Sequence, residues 1–223
     1  MKQKVKFKVC CIQNIHEAKL AINYGASAIG LVSAMPSGPG VIEDKLIKQI
    51  AAAVPPHIAT VLLTSKTSVN EIVLQQKMLC ANSIQICDRI TDGSLSNLKK
   101  ELPGIFIMQV IHVTGEVSVS EAITASEYVD ALLLDSGNQT LPIKQLGGTG
   151  KVHNWLYSKK IVESVTIPVY LAGGLNAGNV ADAINIVQPF GVDVCSGIRT
   201  NGLLDEKKLS AFAVEVEKQK SDN

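Results

Sequence analysis

Short apolar segments alternate with amphipathic stretches eight times along the chain. The apolar segments are rich in β-branched residues on consecutive positions, which is typical of parallel strands covered on both faces. They predict strands at Phe7–Ile12, Ala28–Val32, Ala59–Leu63, Ser83–Cys87, Ile105–Val113, Ala131–Asp135, Val169–Ala172 and Val192–Ser196. The other stretches predict helices at Asn14–Tyr24, Glu43–Val54, Ser68–Leu79, Ser94–Leu102, Ser118–Tyr128, Trp155–Val165, Asn179–Val187 and Asp205–Lys220, with a polar tail over Gln219–Asn223.

Three of these helices carry a capping signal at their predicted starts. Asn14, Ser68 and Ser118 are each followed three residues later by a glutamate. This spacing allows the first side chain to accept a hydrogen bond from the backbone while the glutamate reaches back. We therefore expect these three residues to cap their helices.

Even alternation of strands and helices predicts a parallel sheet of the α/β class. Eight units favour closure into a (β/α)8 TIM barrel, with residues 1–223 as a single domain. The main competitor, an open Rossmann-like sheet, would carry GxGxxG after its first strand. Here Gln13–His16 follows that strand and contains no glycine.

The net charge and the aromatic content limit the kinds of partner that the protein is expected to bind. The net charge is +1 and aromatic residues make up 4% of the chain, which argues against binding to nucleic acid or a membrane surface. No apolar run approaches the roughly 20 residues that span a bilayer, and the N-terminus lacks a signal-peptide pattern, so we expect a cytoplasmic protein. The five cysteines and four histidines show neither a disulfide framework nor metal-ligand spacing.

Two loops predicted at one end of the barrel are rich in glycine. In such barrels the active site is built from the loops after the strands, and phosphate often binds after strands seven and eight. Gly173 and Gly174 follow the seventh predicted strand, and Ser196 and Gly197 end the eighth. Either loop alone could be no more than a tight turn. Together they predict a phosphate site formed by backbone N–H groups.

A third glycine cluster, Gly147–Gly150, lies in the longest predicted loop, Ser136–Asn154. Lys151 follows it, but the GxxxxGK[ST] pattern of a P-loop is missing. Long loops in compact domains tend to be functional or disordered. We interpret this one as a lid over the substrate.

Ionisable residues lie on strands that lead to the same end of the barrel. Asp135 closes an otherwise apolar strand, and Lys8 and Cys10 share one face of the first strand. Asp135 could also be a turn residue, and Cys10 a small buried hydrophobe. Asp193 lies inside a buried strand and therefore needs a partner. By alternation, Cys11 should point away from the barrel axis into the core.

Several of these residues belong to short motifs that occur in the order found in one enzyme family. The chain resembles the phosphoribosylanthranilate isomerases, which are (β/α)8 enzymes of tryptophan biosynthesis. The matching segments are Lys8-Val9-Cys10, Gln85, Leu133-Leu134-Asp135-Ser136, Gly147-Gly148-Thr149-Gly150-Lys151 with Trp155, Leu171-Ala172-Gly173-Gly174-Leu175-Asn176 with Asn179-Val180, and Val192-Asp193-Val194-Cys195-Ser196-Gly197. They span nearly the whole chain.

The resemblance implies a cofactor-independent Amadori rearrangement of an N-linked ribose 5-phosphate, from aminoaldose to aminoketose. It makes Cys10 the general base and Asp135 the general acid. It places the phosphate on Gly173, Gly174, Ser196 and Gly197, makes Asp193 a substrate-binding residue, and makes Lys8, Gln85 and Gly148 candidate substrate contacts.

The chain departs from the family's pattern at four places. The family's glycine after the catalytic cysteine is Cys11 here, its fourth-strand histidine is Cys87, and a glutamate after the eighth strand is Arg199. The loop around Ser37–Gly40 lacks the arginine that contacts the anthranilate carboxylate, a charge-assisted contact of roughly 1.5–3 kcal/mol. Arg199 is a candidate to supply that charge from another wall.

Three functions follow as hypotheses. The first is phosphoribosylanthranilate isomerase, acting as a monomer or homodimer on a small sugar phosphate without metal or nucleotide. The second is a related isomerase acting on another phosphorylated amino-sugar that lacks the anthranilate carboxylate. The third is a non-catalytic barrel that binds a phosphorylated ligand. The retained Cys10 and Asp135 favour an enzyme over the third.

Overall fold

Eight parallel strands close into a barrel in the computed structural model, which describes residues 3–137, 146, 150 and 152–221. The strands are β1 (Lys6–Val9), β2 (Ala28–Val32), β3 (Ala59–Thr64), β4 (Ser83–Ile86), β5 (Phe106–His112), β6 (Ala131–Asp135), β7 (Val169–Leu171) and β8 (Gly191–Val194). Each strand pairs with the next in the chain, and β8 pairs with β1. The predicted (β/α)8 architecture is confirmed.

Helices follow the strands in sequence. They are α1 (Ile15–Asn23), α2 (Asp44–Ala53), α3 (Val69–Leu79), α4 (Leu95–Glu101), α5 (Glu116–Ser126), α6 (Trp155–Ser164), α7 (Val180–Val187) and α8 (Glu206–Glu217). A three-residue 3-10 helix, Ser196–Ile198, follows β8. Across the described ranges no helix is long and apolar enough to cross a membrane.

The capping predictions had mixed outcomes. The Asn14 side chain accepts from the Glu17 backbone N–H at 2.9 Å, and Glu17 in turn accepts from the Gln13 N–H at 3.0 Å. Ser68 is the N-cap residue of α3, as predicted, but its hydroxyl bonds the Asp92 carboxylate and makes no hydrogen bond to the helix backbone. The prediction for Ser118 is wrong, because α5 begins two residues earlier and buries that hydroxyl against strand-end backbone.

The apolar side chains form two layers, as the alternation of a strand between its two faces requires. The outer layer packs the barrel against its helices and includes Val9, Ile29 and Leu132. The inner layer fills the barrel and includes Leu133 and Tyr170. Each fully buried aliphatic side chain contributes about 1.5–3 kcal/mol by leaving water. The barrel is therefore a packed core rather than a pore.

The two ends of the chain meet at the amino-terminal end of the barrel. Gln3–Lys4 pairs antiparallel with Lys220–Ser221, and the Lys4 ammonium lies 2.9 Å from the Glu217 carboxylate. The predicted last helix therefore ends earlier than Lys220, and part of the predicted tail is a strand. This pairing lies away from the loops that form the candidate site.

Candidate active site

A cavity opens at the carboxyl ends of the strands, where the glycine loops were predicted to meet the strand-end side chains. The residues from the sequence prediction that line it are Cys10, Gln85, Asp135, Gly173, Gly174, Asp193 and Ser196. They come from five strands or strand ends that are far apart in the chain. The barrel closure alone brings them together.

A buried ion pair lies at the base of this cavity. Lys8 on β1 is the register partner of Asp193 on β8, and the Lys8 ammonium lies 2.9 Å from an Asp193 carboxylate oxygen. Lys8 is completely buried and Asp193 is 8% exposed. Burial alone would lower the pKa of Lys8, but Asp193 and the nearby Cys10 raise it above its ordinary value. Lys8 is thus the partner that the buried Asp193 requires, and it stays charged.

Cys10 and Asp135 both face the cavity, from strands that lie three positions apart around the barrel. Cys10 follows β1, is buried, and its backbone N–H donates to the Val194 carbonyl at 2.8 Å. Asp135 ends β6, and one of its carboxylate oxygens accepts the Ser136 N–H at 2.7 Å. That bond matches the reading of Asp135 as a turn residue, yet the carboxylate also lines the cavity. The arrangement presents a thiol and a carboxyl group to one small-molecule site.

The glycine loop after β7 has a backbone that suits anion binding. Gly173 and Gly174 have φ values of 85° and 65°, in the left-handed region that favours glycine. Two asparagines hold the loop in place. The Asn179 amide donates to the Gly174 carbonyl at 3.0 Å, and its oxygen accepts the Asn176 N–H at 2.8 Å. Asn179 is therefore a positioning residue for this loop, which its place among the matching segments did not reveal.

Gly197 lies behind the loop rather than on the cavity wall. A Cβ atom at this position would lie 2.0 Å from the Leu175 carbonyl oxygen and 2.9 Å from the Asn176 Cβ. Only glycine allows the loop after β8 to pack this closely on the loop after β7. The two predicted phosphate loops thus form one continuous wall, with Ser196 facing the cavity.

Comparisons with known proteins agree with this geometry. A sequence profile described as N-(5′-phosphoribosyl)anthranilate (PRA) isomerase matches residues 7–215. N-(5′-phosphoribosyl)anthranilate isomerase 2 of Methanosarcina mazei is 37% identical over 210 residues, which cover 93% of this chain and 92% of the relative. The chain belongs to the PRA isomerase family. A second relative, the isomerase of Methanosarcina acetivorans, is 32% identical over 96% of this chain and 93% of its own length.

Solved structures of PRA isomerases have the same barrel. The enzyme from Thermotoga maritima superposes with a TM-score of 0.81 at 25% identity, covering 96% of this chain and 100% of that structure. The Pyrococcus furiosus enzyme gives a TM-score of 0.78 at 25% identity. The four departures from the family pattern can therefore be located on this shared barrel.

The first departure, Cys11, was predicted to point away from the barrel axis into the core. It is buried in an apolar cluster as expected, but this cluster lies inside the barrel, so the predicted direction is wrong. Cys11 has a φ of 62°, the left-handed conformation that a glycine in the family would adopt without cost. The strand alternation therefore stops at Cys10, and the Cys11 side chain lines the cavity. A non-glycine residue in this conformation costs about 1–2 kcal/mol. Gly40 leaves the necessary room, since a Cβ there would lie 2.4 Å from the Cys11 Cβ.

The second departure, Arg199, does not face the cavity. Its guanidinium forms a two-pronged ion pair with Glu17, at 3.2 Å and 3.1 Å, and also bonds the Cys10 and Cys11 carbonyls. Burial alone would raise the pKa of Glu17, but Arg199 lowers it below its ordinary value. The structure therefore does not support the hypothesis that Arg199 contacts the aromatic carboxylate, because the guanidinium is buried, does not line the cavity and already bonds Glu17 and two backbone carbonyls. Arg199 instead supports the backbone of the loop after β1.

The third departure, Cys87, is a buried thiol in contact with Gln85. The Gln85 amide lies 3.6 Å from the Cys87 sulfur, and burial raises the pKa of Cys87 to about 12. Cys87 is therefore a neutral thiol, where the family pattern has a titratable histidine. Cys87 affects the cavity by helping to position Gln85, which lines it.

The fourth departure is the loop after β2, which contributes Met35, Ser37 and Pro39 to the cavity. Across the described ranges this wall carries no lysine, arginine or histidine. Leu146 adds a further apolar side chain, and Gly150 lies near it in the lining. Sequence reasoning missed Met35 and Leu146, because apolar loop residues give no chemical signal.

The predicted lid is described only in part. The candidate contact Gly148, its neighbours Gly147 and Thr149, and Lys151 lie outside the described residues. Within those residues, no group of three or more histidine, cysteine, aspartate and glutamate side chains is arranged to hold a metal ion.

Proposed function

We propose that this chain isomerises N-(5′-phosphoribosyl)anthranilate to the 1-deoxyribulose 5-phosphate aminoketose, a step of tryptophan biosynthesis. The observation that carries the proposal is the cavity itself. It joins Cys10 and Asp135, at the ends of β1 and β6, to the glycine loops after β7 and β8. One molecule with a phosphate at one end and a reacting ribose in the middle fits this order of groups.

The reaction needs an acid and a base at different atoms of the sugar. Asp135 protonates the ring oxygen, and the ribose opens to an imine. Cys10, as thiolate, then removes the proton from C2, and the resulting enolamine tautomerises to the ketone. The base and the acid come from strands three positions apart around the barrel, so each can reach its own atom. No group outside this pair is needed for the proton transfers.

The remaining polar groups hold the substrate. Backbone N–H groups of Gly173, Gly174 and Ser196 bind the phosphate, which the left-handed turn at Gly173 and Gly174 supports, while Gly197 packs behind them. Asp193 accepts a hydrogen bond from a sugar hydroxyl, since Lys8 beneath it keeps the carboxylate paired. Gln85 contacts the substrate from β4.

The oligomeric state, a monomer or a homodimer, stays a prediction, and so does the cytoplasmic location.

Single substitutions of the acid and the base test the proposal. Cys10→Ala and Asp135→Asn remove the transferring groups with little change of volume, and we expect kcat to fall by roughly 10²–10⁴. The assay follows the anthranilate-type fluorescence of PRA on addition of purified enzyme. Cys80→Ala is the matched control, because Cys80 is exposed and lies at the end of α3.

Activity that survives both substitutions would refute the assignment of base and acid. Turnover of PRA by the unmodified chain would exclude the non-catalytic barrel. Binding of a ribulose phosphate analogue without turnover of any substrate would favour it.

One observation supports the second candidate, an isomerase for an amino-sugar phosphate that lacks the carboxylate. The described wall formed by the loop after β2 is apolar or neutral. Comparing kcat/KM for PRA and for the corresponding aniline derivative distinguishes the two. A preference for PRA supports the first function, and a preference for the derivative supports the second.

A further inference from the structure

Two thiols that the proposed reaction does not use meet at the mouth of the cavity. The sulfur atoms of Cys11 and Cys195 lie 2.9 Å apart, although the residues are 184 positions apart in the chain. Cys11 follows β1 and Cys195 follows β8, so the contact joins the two loops where the barrel closes. This distance is shorter than an ordinary contact between sulfur atoms that share no bond or proton.

The surroundings hold both sulfur atoms in this position. The left-handed backbone of Cys11 turns its side chain towards Cys195, and its thiol also lies 3.5 Å from the Pro39 carbonyl. Cys195 is the more accessible of the two, since Cys11 is 4% exposed and Cys195 is half-buried. A reagent in the cavity therefore meets the Cys195 sulfur first.

The charges around the pair make the two thiols unequal. The hydrogen bond between the two thiols lowers the pKa of Cys195, burial opposes this, and the nearby Arg199 lowers it further. The bonds to Cys10 and Cys195 raise the pKa of Cys11. A thiolate next to a protonated thiol is the arrangement in which disulfide exchange starts at one sulfur and is completed by the other.

We propose that Cys11 and Cys195 are a redox-active pair, which a low-molecular-weight disulfide converts to an intramolecular disulfide across the mouth of the cavity. The Cys195 thiolate attacks the reagent and releases one reagent thiolate, leaving a mixed disulfide. Cys11 then gives up its proton and displaces the second reagent thiol. In total, two protein thiols lose two electrons and two protons, and the reagent disulfide gains them.

Oxidation should also lower the isomerase activity. This expectation rests on the proposed function. Cys11 follows the proposed base, and Cys195 precedes Ser196 in the phosphate wall. Because a disulfide is shorter than the present contact, both loops must move, by a total of roughly 1 Å. A displacement of that size costs catalysis on the order of 10²-fold. We expect isomerase activity to fall by about this factor and to return with dithiothreitol.

The test uses oxidised glutathione and measures formation of the disulfide independently of isomerase activity. The full chain is oxidised, digested without reduction and analysed by fragment-ion mass spectrometry. The expected product is a Cys11–Cys195 peptide pair two hydrogens lighter than the reduced peptides. The Cys10→Ala variant is treated in parallel, because it removes the neighbouring thiol and, on the proposed function, activity. The cross-link should form in it unchanged.

Two outcomes would overturn the proposal. A cross-link that disappears in Cys10→Ala would assign the redox pair to Cys10 and Cys195. Glutathione that stays on Cys195 without a cross-link would show that Cys11 does not react. Cys11→Gly, which suits the left-handed backbone, should fold and should block the cross-link, with Cys80→Ser as the unaffected control. If the cross-link forms but PRA is not turned over, the redox pair stands and the proposed function fails.

Discussion

The phosphate end and the aromatic end of the cavity are built by different means. At the phosphate end, the loops after β7 and β8 interlock so closely that a Cβ at Gly197 would lie 2.0 Å from the Leu175 carbonyl oxygen. Asn179 braces the same wall through side-chain hydrogen bonds. At the aromatic end, the loop after β2 offers Met35, Ser37 and Pro39 and, in the described part of the wall, no cation.

The difference shows which part of the substrate is recognised by backbone and which by side chains. Backbone N–H groups bind a phosphate wherever the loop geometry is kept, so binding at this end depends on the loop conformation rather than on particular side chains. A side-chain contact can be lost by one substitution without disturbing the fold. The missing arginine at Ser37–Gly40 is therefore compatible with an intact phosphate end.

The largest expected effect concerns the base of the cavity, which both ends share. Lys8→Met would leave Asp193 buried without its partner, which costs about 3–5 kcal/mol of unfolding free energy. Chemical denaturation measures this change. The double variant Lys8→Met with Asp193→Leu should recover much of the loss, because no charge is then left buried. A single variant as stable as the parent would contradict the assignment of a charged pair.

The same pair sets how stability changes at high pH. Because the folded pKa of Lys8 is raised above its ordinary value of 10.5, the pair contributes fully below that pH. Its contribution is lost only as the pH rises through the still higher folded value. The Lys8→Met difference in stability should therefore be constant from neutral pH to about pH 10.

The next effect tests the phosphate end alone. Gly197→Ala forces the two glycine loops apart, and we expect KM for PRA to rise on the order of 10²-fold. Steady-state kinetics measure this. Gly104→Ala is the control, because a Cβ at Gly104 meets nothing within 4 Å, although this glycine has a positive φ of 81°. It should lose some stability and leave KM unchanged. If Gly197→Ala and Gly104→Ala had the same KM for PRA, the contact between the two loops would not be what holds the phosphate site.

A smaller effect concerns the ion pair behind the loop after β1. The lowered pKa of Glu17 means that its pair with Arg199 stabilises the fold above pH 4.5. This contribution is lost as the pH falls through the folded value. Glu17→Gln should therefore be less stable than the parent at neutral pH, and the difference should shrink below pH 4.5. Denaturation curves at several pH values check this, and a difference that grows in acid would contradict it.

The smallest expected effect concerns a cation added at the aromatic end of the cavity. Ser37→Arg places a cation on the half-buried loop after β2, where the family carries one. An exposed charge contact is worth about 1 kcal/mol, so KM for PRA should fall about fivefold. Ser37→Lys is the matched control for charge without the planar fork. An unchanged KM for both would place the aromatic end elsewhere in the cavity.

Much of the architecture could be predicted because each part depends on local pattern. Runs of consecutive apolar residues identified all eight barrel strands, and the bounds of β2 and β6 match the prediction residue for residue. The closure of the barrel then brought Cys10, Asp135 and both glycine loops to one cavity, as expected. The roles of these residues stay predictions.

The sequence by itself determined the barrel, the strand order and the loops that meet at the mouth, since these follow from local periodicity and the direction of the strands. Only the tertiary structure decided where Cys11 and Arg199 point. Period-2 alternation no longer applies once Cys11 adopts a left-handed φ. Arg199 finds Glu17, and Cys195 finds Cys11, across more than 180 positions. Contacts of that range exist only after the last strand has closed against the first.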